Sequence, residues 1–377
     1  MEYTLIYGIF MSLLLTALLL TKRGRNDADT LLSIYLTISA VSLALAYLEI
    51  LNRERGYNFP FLINSSVPFI LLLGPALWLY VKRLITPDFR YKMVHLLLLV
   101  PFIFAFVLLF LNSYSADDNI KIASDRYESF LQEPLFLIIA SMIAISNIGY
   151  TSWGLSLIAT HRKRIKSYFS QTEKIDLRWL KFLLIWALFC YSCISALYII
   201  DSFVNIFSYN TLQTIGYTIA SVFVIILGFY GLRQGELFSG TTREYIINRS
   251  QEIGKNSEPI VKEEEEFINR LLSFMKESKP YLNPEITLGV LSSQMKVSAD
   301  YLSRIINTRL NMNFFDFIAH YRVEEFKLMC KDPSKRNYTL ISLAYDCGFN
   351  SKATFNRVFK KSTGVTPSEY YLKLSNI

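Results

Sequence analysis

Residues 339–364 read TLISLAYDCGFNSKATFNRVFKKSTG, and residues 287–310 read TLGVLSSQMKVSADYLSRIINTRL. Each stretch opens on Thr-Leu, where the threonine is a candidate helix N-cap because its hydroxyl can accept from an orphan backbone N–H. A leucine follows four residues after each threonine, at Leu291 and Leu343. Each stretch then breaks at a short turn and restarts at a Ser or Asn cap, Ser298 in the first and Asn350 or Ser351 in the second. The pattern is helix, tight turn, helix, written twice. The second helices align at an offset of 53, with Leu302, Ile305 and Ile306 matching Phe355, Val358 and Phe359. An apolar stripe at i, i+3 and i+4 must face a core.

The opposite faces are polar. One carries Ala299, Asp300, Ser303, Arg304 and Asn307; the other carries Lys352, Ala353, Asn356, Arg357 and Lys360, with Lys361 beside it. Arg304 and Arg357 take corresponding positions. Arginine can bond guanine O6 and N7 with two N–H groups, and asparagine can do the same to adenine N6 and N7. Lys360 and Lys361, at the helix end, suit phosphates. A single such helix is equally an ordinary solvated face. Two in matched register read as a major-groove surface, because residues 267–377 also hold 16 Lys+Arg against 9 Asp+Glu. The candidate DNA-binding residues are therefore Asp300, Ser303, Arg304, Asn307, Lys352, Ala353, Asn356, Arg357, Lys360 and Lys361. Between the units, NFFDFIAHYRVEEFKLMC (313–330) has helical periodicity and no breaker. It predicts a long helix joining two compact three-helix lobes, with readers set for successive major grooves about 34 Å apart.

These residues resemble the DNA-binding domain of the AraC/XylS family. The carrying pattern is Ile341, Ala344, Gly348-Phe349, Ser351, Phe355, Phe359-Lys360, Gly364, Pro367 and Tyr370. Tyr301-Leu302-Ser303-Arg304 and Tyr321-Arg322 resemble the first unit and the linker helix. The resemblance covers roughly residues 265–375. It implies a one-component bacterial regulator in which the second helix of each unit contacts bases. Three features depart from the pattern. Phe326 stands where the family usually has a small residue. Asp300 puts a negative charge on the first reader, where it can repel phosphate or accept from cytosine N4. Long apolar segments take the place of the soluble sugar-binding or dimerising domain of many relatives.

Working toward the N-terminus, the acidic run Glu263–Glu266 reads as a solvated helix start, since acids suit a helix N-terminus and Phe267, Leu271, Leu272 and Met275 follow at helical spacing. Residues 233–261 are polar and mixed in charge. They read as a linker reaching about 30 Å if flexible, at roughly 5–6 Å × √n.

Before residue 233 the character changes. The whole chain of 377 residues is 52% hydrophobic and only 19% charged, against about 25% charged in ordinary soluble proteins. Seven charge-free stretches are long enough to span a bilayer, which takes about 20 apolar residues: Tyr3–Thr21, Thr30–Leu48, Gly56–Val81, Met93–Ala116, Pro134–Thr160, Phe182–Ile200 and Ser202–Leu232. The apolar part of the third begins near Val67 and that of the seventh near Leu212. Lipid offers the backbone no hydrogen-bond partner, so each is expected to be helical. The first lacks the basic flank and cleavage pattern of a signal peptide and reads as a retained helix. Alternate loops hold fourteen Lys and Arg against four in the others. The positive-inside rule then puts the N-terminus outside, and seven crossings put the C-terminus in the cytoplasm. Few polar groups fall at membrane depth. Asn147 is mid-helix, and Glu49, His95 and Asp201 lie near helix ends, within reach of the interface.

Cys190 and Cys193 lie in an apolar run and read as packing residues; Cys330 and Cys347 read as core. No phosphate-binding loop, dinucleotide fingerprint or HExxH stretch is present, and His95, His161 and His320 are scattered. No catalytic residue, cofactor or metal site is expected. The sequence thus predicts an all-α chain in three parts: a seven-helix transmembrane domain (1–232), a cytoplasmic linker (233–261), and a DNA-binding domain of two helix-turn-helix units joined by a linker helix (262–377). Expected partners are double-stranded promoter DNA, the lipid bilayer, a second copy of the chain, RNA polymerase and an unidentified signal; the expected location is the bacterial inner membrane. The alternative is a receptor or transporter-like protein whose C-terminal domain is an interaction module.

Overall fold

The computed structural model describes residues 2–86, 89–90, 92–173, 175–204, 206–234 and 261–375. These residues are helical, without sheet. Residues 235–260, nearly all of the expected linker, lie outside the described residues. Two compact units are present, one holding residues 2–159 and 177–234, the other 160–176 and 261–375.

The first unit contains α1 (Glu2–Thr21), α2 (Asp27–Glu54), α3 (Val67–Ile85), α4 (Val100–Leu109), α5 (Asp118–Arg126), α6 (Pro134–Lys166, whose last turns pass into the second unit), α7 (Arg178–Val204) and α8 (Tyr209–Gln234). Seven helical stretches among the described residues are long and apolar enough to cross a membrane, with bounds close to those read from sequence. The differences have local causes. Helix α2 starts before Thr30 because Asn26 and Asp29 form a reciprocal cap: Asp29 N donates to Asn26 Oδ1 at 2.9 Å and Asn26 N to Asp29 Oδ2 at 3.0 Å. The fourth stretch is not one α-helix. A 3-10 segment (Met93–Leu99) precedes α4 and a π turn (Phe110–Tyr114) follows it. Pro101, lacking an N–H, fits the first turn of a helix and sits in the first turn of α4. The sixth and seventh stretches part because the Asp201 carboxylate accepts from Ile206 N and Phe207 N, both at 2.9 Å, ending α7.

Helices α1, α2, α3 and α8 pack through Leu15, Leu19, Leu32, Leu36, Tyr80 and Leu227. The helices approach closely where a residue is small. A Cβ at Gly231 would overlap Leu32. Many large apolar side chains face outward, among them Phe104, Phe110, Ile145, Phe189 and Phe203. Exposure on that scale would be costly in water and is neutral in lipid. Glu49 and Asp201, both read as lying near helix ends, are buried within the fold at 2% and 4% exposure; Glu49 accepts from Ser66 N at 2.7 Å and Gln213 Nε2 at 2.7 Å.

The second unit contains α9 (Val261–Glu277), α10 (Leu288–Gln294), α11 (Ala299–Thr308), α12 (Phe314–Lys331), α13 (Leu340–Asp346), α14 (Lys352–Thr363) and α15 (Pro367–Ser375). It has two cores. The first gathers Phe267, Leu271, Met275, Leu291, Leu302 and Ile306 with Phe314, Phe317 and Ile318 of α12. The second gathers Leu343, Ala344, Phe355, Val358 and Phe359 with Phe315, Ala319, Val323 and Phe326 of the same helix. Successive faces of α12 therefore serve different lobes. Phe326, the departure noted in the sequence, is fully buried with its ring 4.7 Å from Phe355 and 5.3 Å from Phe359.

Candidate nucleic-acid interface

Side-chain caps start all four helices of the two helix-turn-helix units. The Thr287 and Thr339 hydroxyls accept from Val290 N (3.3 Å) and Ser342 N (3.1 Å). Ser298 and Ser351 accept from Tyr301 N (3.2 Å) and Thr354 N (3.3 Å). Of the two caps the sequence left open in the second unit, Ser351 is the one used. Burial of Leu302, Ile305 and Ile306, and of Phe355, Val358 and Phe359, turns the remaining faces outward. Asp300, Arg304, Asn307, Lys352, Ala353, Asn356, Arg357, Lys360 and Lys361 are exposed and Ser303 is half-buried. Ala299, read as part of the free face, is buried at 4% exposure and belongs to the core. As the first residue after its cap, it turns inward with Leu302.

The turns differ by one residue. In the first, Lys296 takes the left-handed conformation at φ 57°; in the second, Gly348 does so at φ 88°. Only the second position requires glycine for space. A Cβ there would lie 2.5 Å from the Tyr281 carbonyl oxygen and 2.9 Å from Arg322 Nε. Arg322 is buried, donates to the Tyr281 carbonyl (2.7 Å) and the Asn283 carbonyl (2.9 Å), and lies over the Phe349 ring. Burial lowers its pKa to about 10. Beside it, Glu325 accepts from Lys279 Nζ at 2.8 Å and Tyr281 Oη at 3.0 Å. Arg322 and Glu325 thus fasten residues 279–283 to α12. Sequence reading had placed Arg322 only by resemblance, because nothing in helical periodicity marks a buried charge.

The two arginines stand differently. Arg304 Nη1 pairs with Glu264 Oε1 at 3.0 Å, and its guanidinium lies over the Tyr301 ring. Arg309 holds the other Glu264 oxygen at 2.7 Å. Arg309 first, then Arg304, keeps the Glu264 carboxyl below the usual carboxylate range. The acidic run is therefore not simply a solvated helix start: Glu264 is buried against α11. Arg357 instead lies 6.0 Å over the Phe315 ring. Lys361 pairs with Asp316 at 3.2 Å.

Residues 160–176 belong to this unit. Phe169 forms an isolated antiparallel bridge with Thr287, and Ser170 Oγ donates to the Ile286 carbonyl at 2.6 Å. Glu173 accepts from Ser351 Oγ at 2.8 Å and from Thr354 Oγ1, at the start of α14. Each second helix thus carries an acid beside its polar face, Glu264 at α11 and Glu173 at α14. Neither was visible in the sequence, because both come from segments distant along the chain.

Residues 291–372 match the protein family described as "Helix-turn-helix domain". The C-terminal region carries a helix-turn-helix domain of AraC type. The match contains all ten candidate residues. The melibiose operon regulatory protein of Escherichia coli (strain K12) is 21% identical over 125 residues, 33% of this chain and 39% of that protein. An HTH-type transcriptional regulator of Staphylococcus aureus (strain COL) is 31% identical over 90 residues, 24% of this chain and 12% of that protein. The chain spans well under half the length of either relative. No solved structure gives a significant match.

Proposed function

We propose that the chain is a membrane-anchored, one-component transcription regulator that reads promoter DNA with α11 and α14. The observation that carries this reading is the pair of capped second helices whose outward faces present Arg304 and Arg357 at corresponding positions. In this reading Arg304, Arg357, Asn307 and Asn356 address base edges, with Asp300, Ser303 and Ala353 beside them; Lys352, Lys360 and Lys361 address phosphates. The seven apolar helices anchor residues 1–232 in the inner membrane, the N-terminus outside. Residues 233–261 link them to a cytoplasmic domain, 262–377. A second copy of the chain and RNA polymerase are its partners at the promoter. A signal acting on the membrane half changes DNA binding only if its affinity differs between two states of the protein.

The test uses the full chain in lipid nanodiscs, incubated with fragmented genomic DNA at near-physiological salt. Enrichment of one sequence, weakened by Arg357→Ala, is expected. Salt-sensitive binding without sequence preference, or no binding, would overturn the reading.

A further inference from the structure

The segment between the last turns of α6 and the start of α7, residues 160–176, packs within the unit that holds both helix-turn-helices. Residues 168–173 of this segment form a strap from one helix-turn-helix to the other. The near end is fixed to the first. Leu288 N donates to the Tyr168 carbonyl at 2.9 Å, Phe169 bridges to Thr287, and Ser170 Oγ donates to the Ile286 carbonyl at 2.6 Å. Tyr168 packs against the first core, and Ser170 and Thr172 are buried.

The far end meets the second helix-turn-helix at its turn and at the start of α14. Gln171 Nε2 donates to the Gly348 carbonyl at 3.5 Å, and Asn350 Nδ2 donates to Gln171 Oε1. The Glu173 carboxylate accepts from Ser351 Oγ at 2.8 Å and from Thr354 Oγ1. These bonds are made by exposed or half-buried side chains, so this end is held less firmly than the other.

The place of Glu173 gives the strap a consequence. A helix-turn-helix inserts the N-terminal residues of its second helix into the major groove. In α14 those residues are Lys352, Ala353 and Asn356, and Ser351 and Thr354 flank the first two along the chain. Glu173 therefore sits at the end of α14 that would lead into the groove, beside the positive end of the helix dipole. Helix N-termini also attract phosphates. A phosphate backbone brought to that end would meet a carboxylate already in place, and like charges so juxtaposed repel. The basic residue Lys166 lies elsewhere, 5.9 Å over the Phe315 ring that Arg357 also covers. Exclusion of DNA is thus a property of the Glu173 end.

We propose that residues 168–173 are an autoinhibitory latch, whose Glu173 end must leave Ser351 and Thr354 before α14 can seat in DNA. The proposal rests on the reading of α14 given above. The latch is continuous in the chain with α6 and α7, so a change in either helix has a covalent route to α14.

The experiment uses the full chain in nanodiscs and the genomic fragment that it enriches, at near-physiological salt. A binding-competent state that is only partly populated weakens apparent affinity by that fraction. Glu173→Gln should therefore bind the fragment at least about fivefold more tightly, the lower end of ordinary coupling between sites. Glu173→Asp keeps the charge but draws the carboxylate back by one methylene, and should also tighten binding. In the wild-type chain, adding the fragment should accelerate hydrogen exchange in residues 171–173, as expected when a locally held segment opens. Wild-type affinity in Glu173→Asp, or slower exchange in residues 171–173 with DNA bound, would overturn the latch. Those results with enrichment intact strike the latch alone, whereas no enrichment by the wild type or either variant strikes the DNA reading and the latch together.

Discussion

The two helix-turn-helix units share their caps, their apolar stripes and the register of one arginine, yet they are held in different ways. In the first, Lys296 occupies the left-handed turn position and Glu264 pairs with Arg304. In the second, Gly348 occupies that position against the Tyr281 carbonyl, Phe326 fills the core, and Arg357 rests on Phe315. The comparison teaches that a repeated motif fixes which face of a helix is free. What each free side chain does before DNA arrives depends on its neighbours.

The largest test of this difference is Phe326→Ala. It empties a fully buried site shared by Phe355 and Phe359, at a cost of about 3–5 kcal/mol. Hydrogen exchange should accelerate in α13–α15 and much less in α10 and α11; equal loosening would mean that the lobes are not separate cores. Next, Gly348→Ala should cost about 1–2 kcal/mol for the left-handed backbone and about 1–3 kcal/mol more for overpacking. Lys296→Gly should stay within about 1 kcal/mol of neutral. Denaturant unfolding of both variants checks the asymmetry between the turns.

At the DNA surface, Arg357→Ala should lose about 1–3 kcal/mol of discrimination at one base position. Arg304→Ala should lose less, because Arg304 must leave Glu264 to reach a base. Affinity measured on single-base variants of the enriched site decides between them, and equal losses would break the distinction. The caps should be alike: Thr287→Ala and Thr339→Ala are each expected to cost about 1 kcal/mol by thermal unfolding.

The smallest effect is on pH. The Glu264 carboxyl is held below its ordinary range by Arg309 and Arg304. Its contribution is therefore full above the ordinary carboxylate range and fades as pH falls through the lowered value. Stability should decline slightly on the acid side, and Glu264→Gln should flatten that decline while raising DNA affinity severalfold. An unchanged acid slope in Glu264→Gln would show that the pair carries no weight.

The amphipathic period of α11 and α14, their Ser caps, and the seven apolar stretches were legible because each depends on residues a few places apart. An i, i+3, i+4 stripe and a run of about 20 apolar residues leave little choice of structure. Ala299 was misread because one residue at a helix start can turn either way. The burial of Glu49 was not legible because burial depends on what lies opposite, here Ser66 and Gln213.

The sequence by itself determined the helices, their caps, the seven membrane-length stretches and the outward faces of two matched helices. Only the tertiary structure decided that Glu264 holds Arg304 and that Arg322 and Glu325 fasten residues 279–283 to α12. The reason is range. Helix formation is governed by neighbours within about four residues, whereas ion pairs and cavities join side chains tens or hundreds of residues apart, whose meeting no local pattern records.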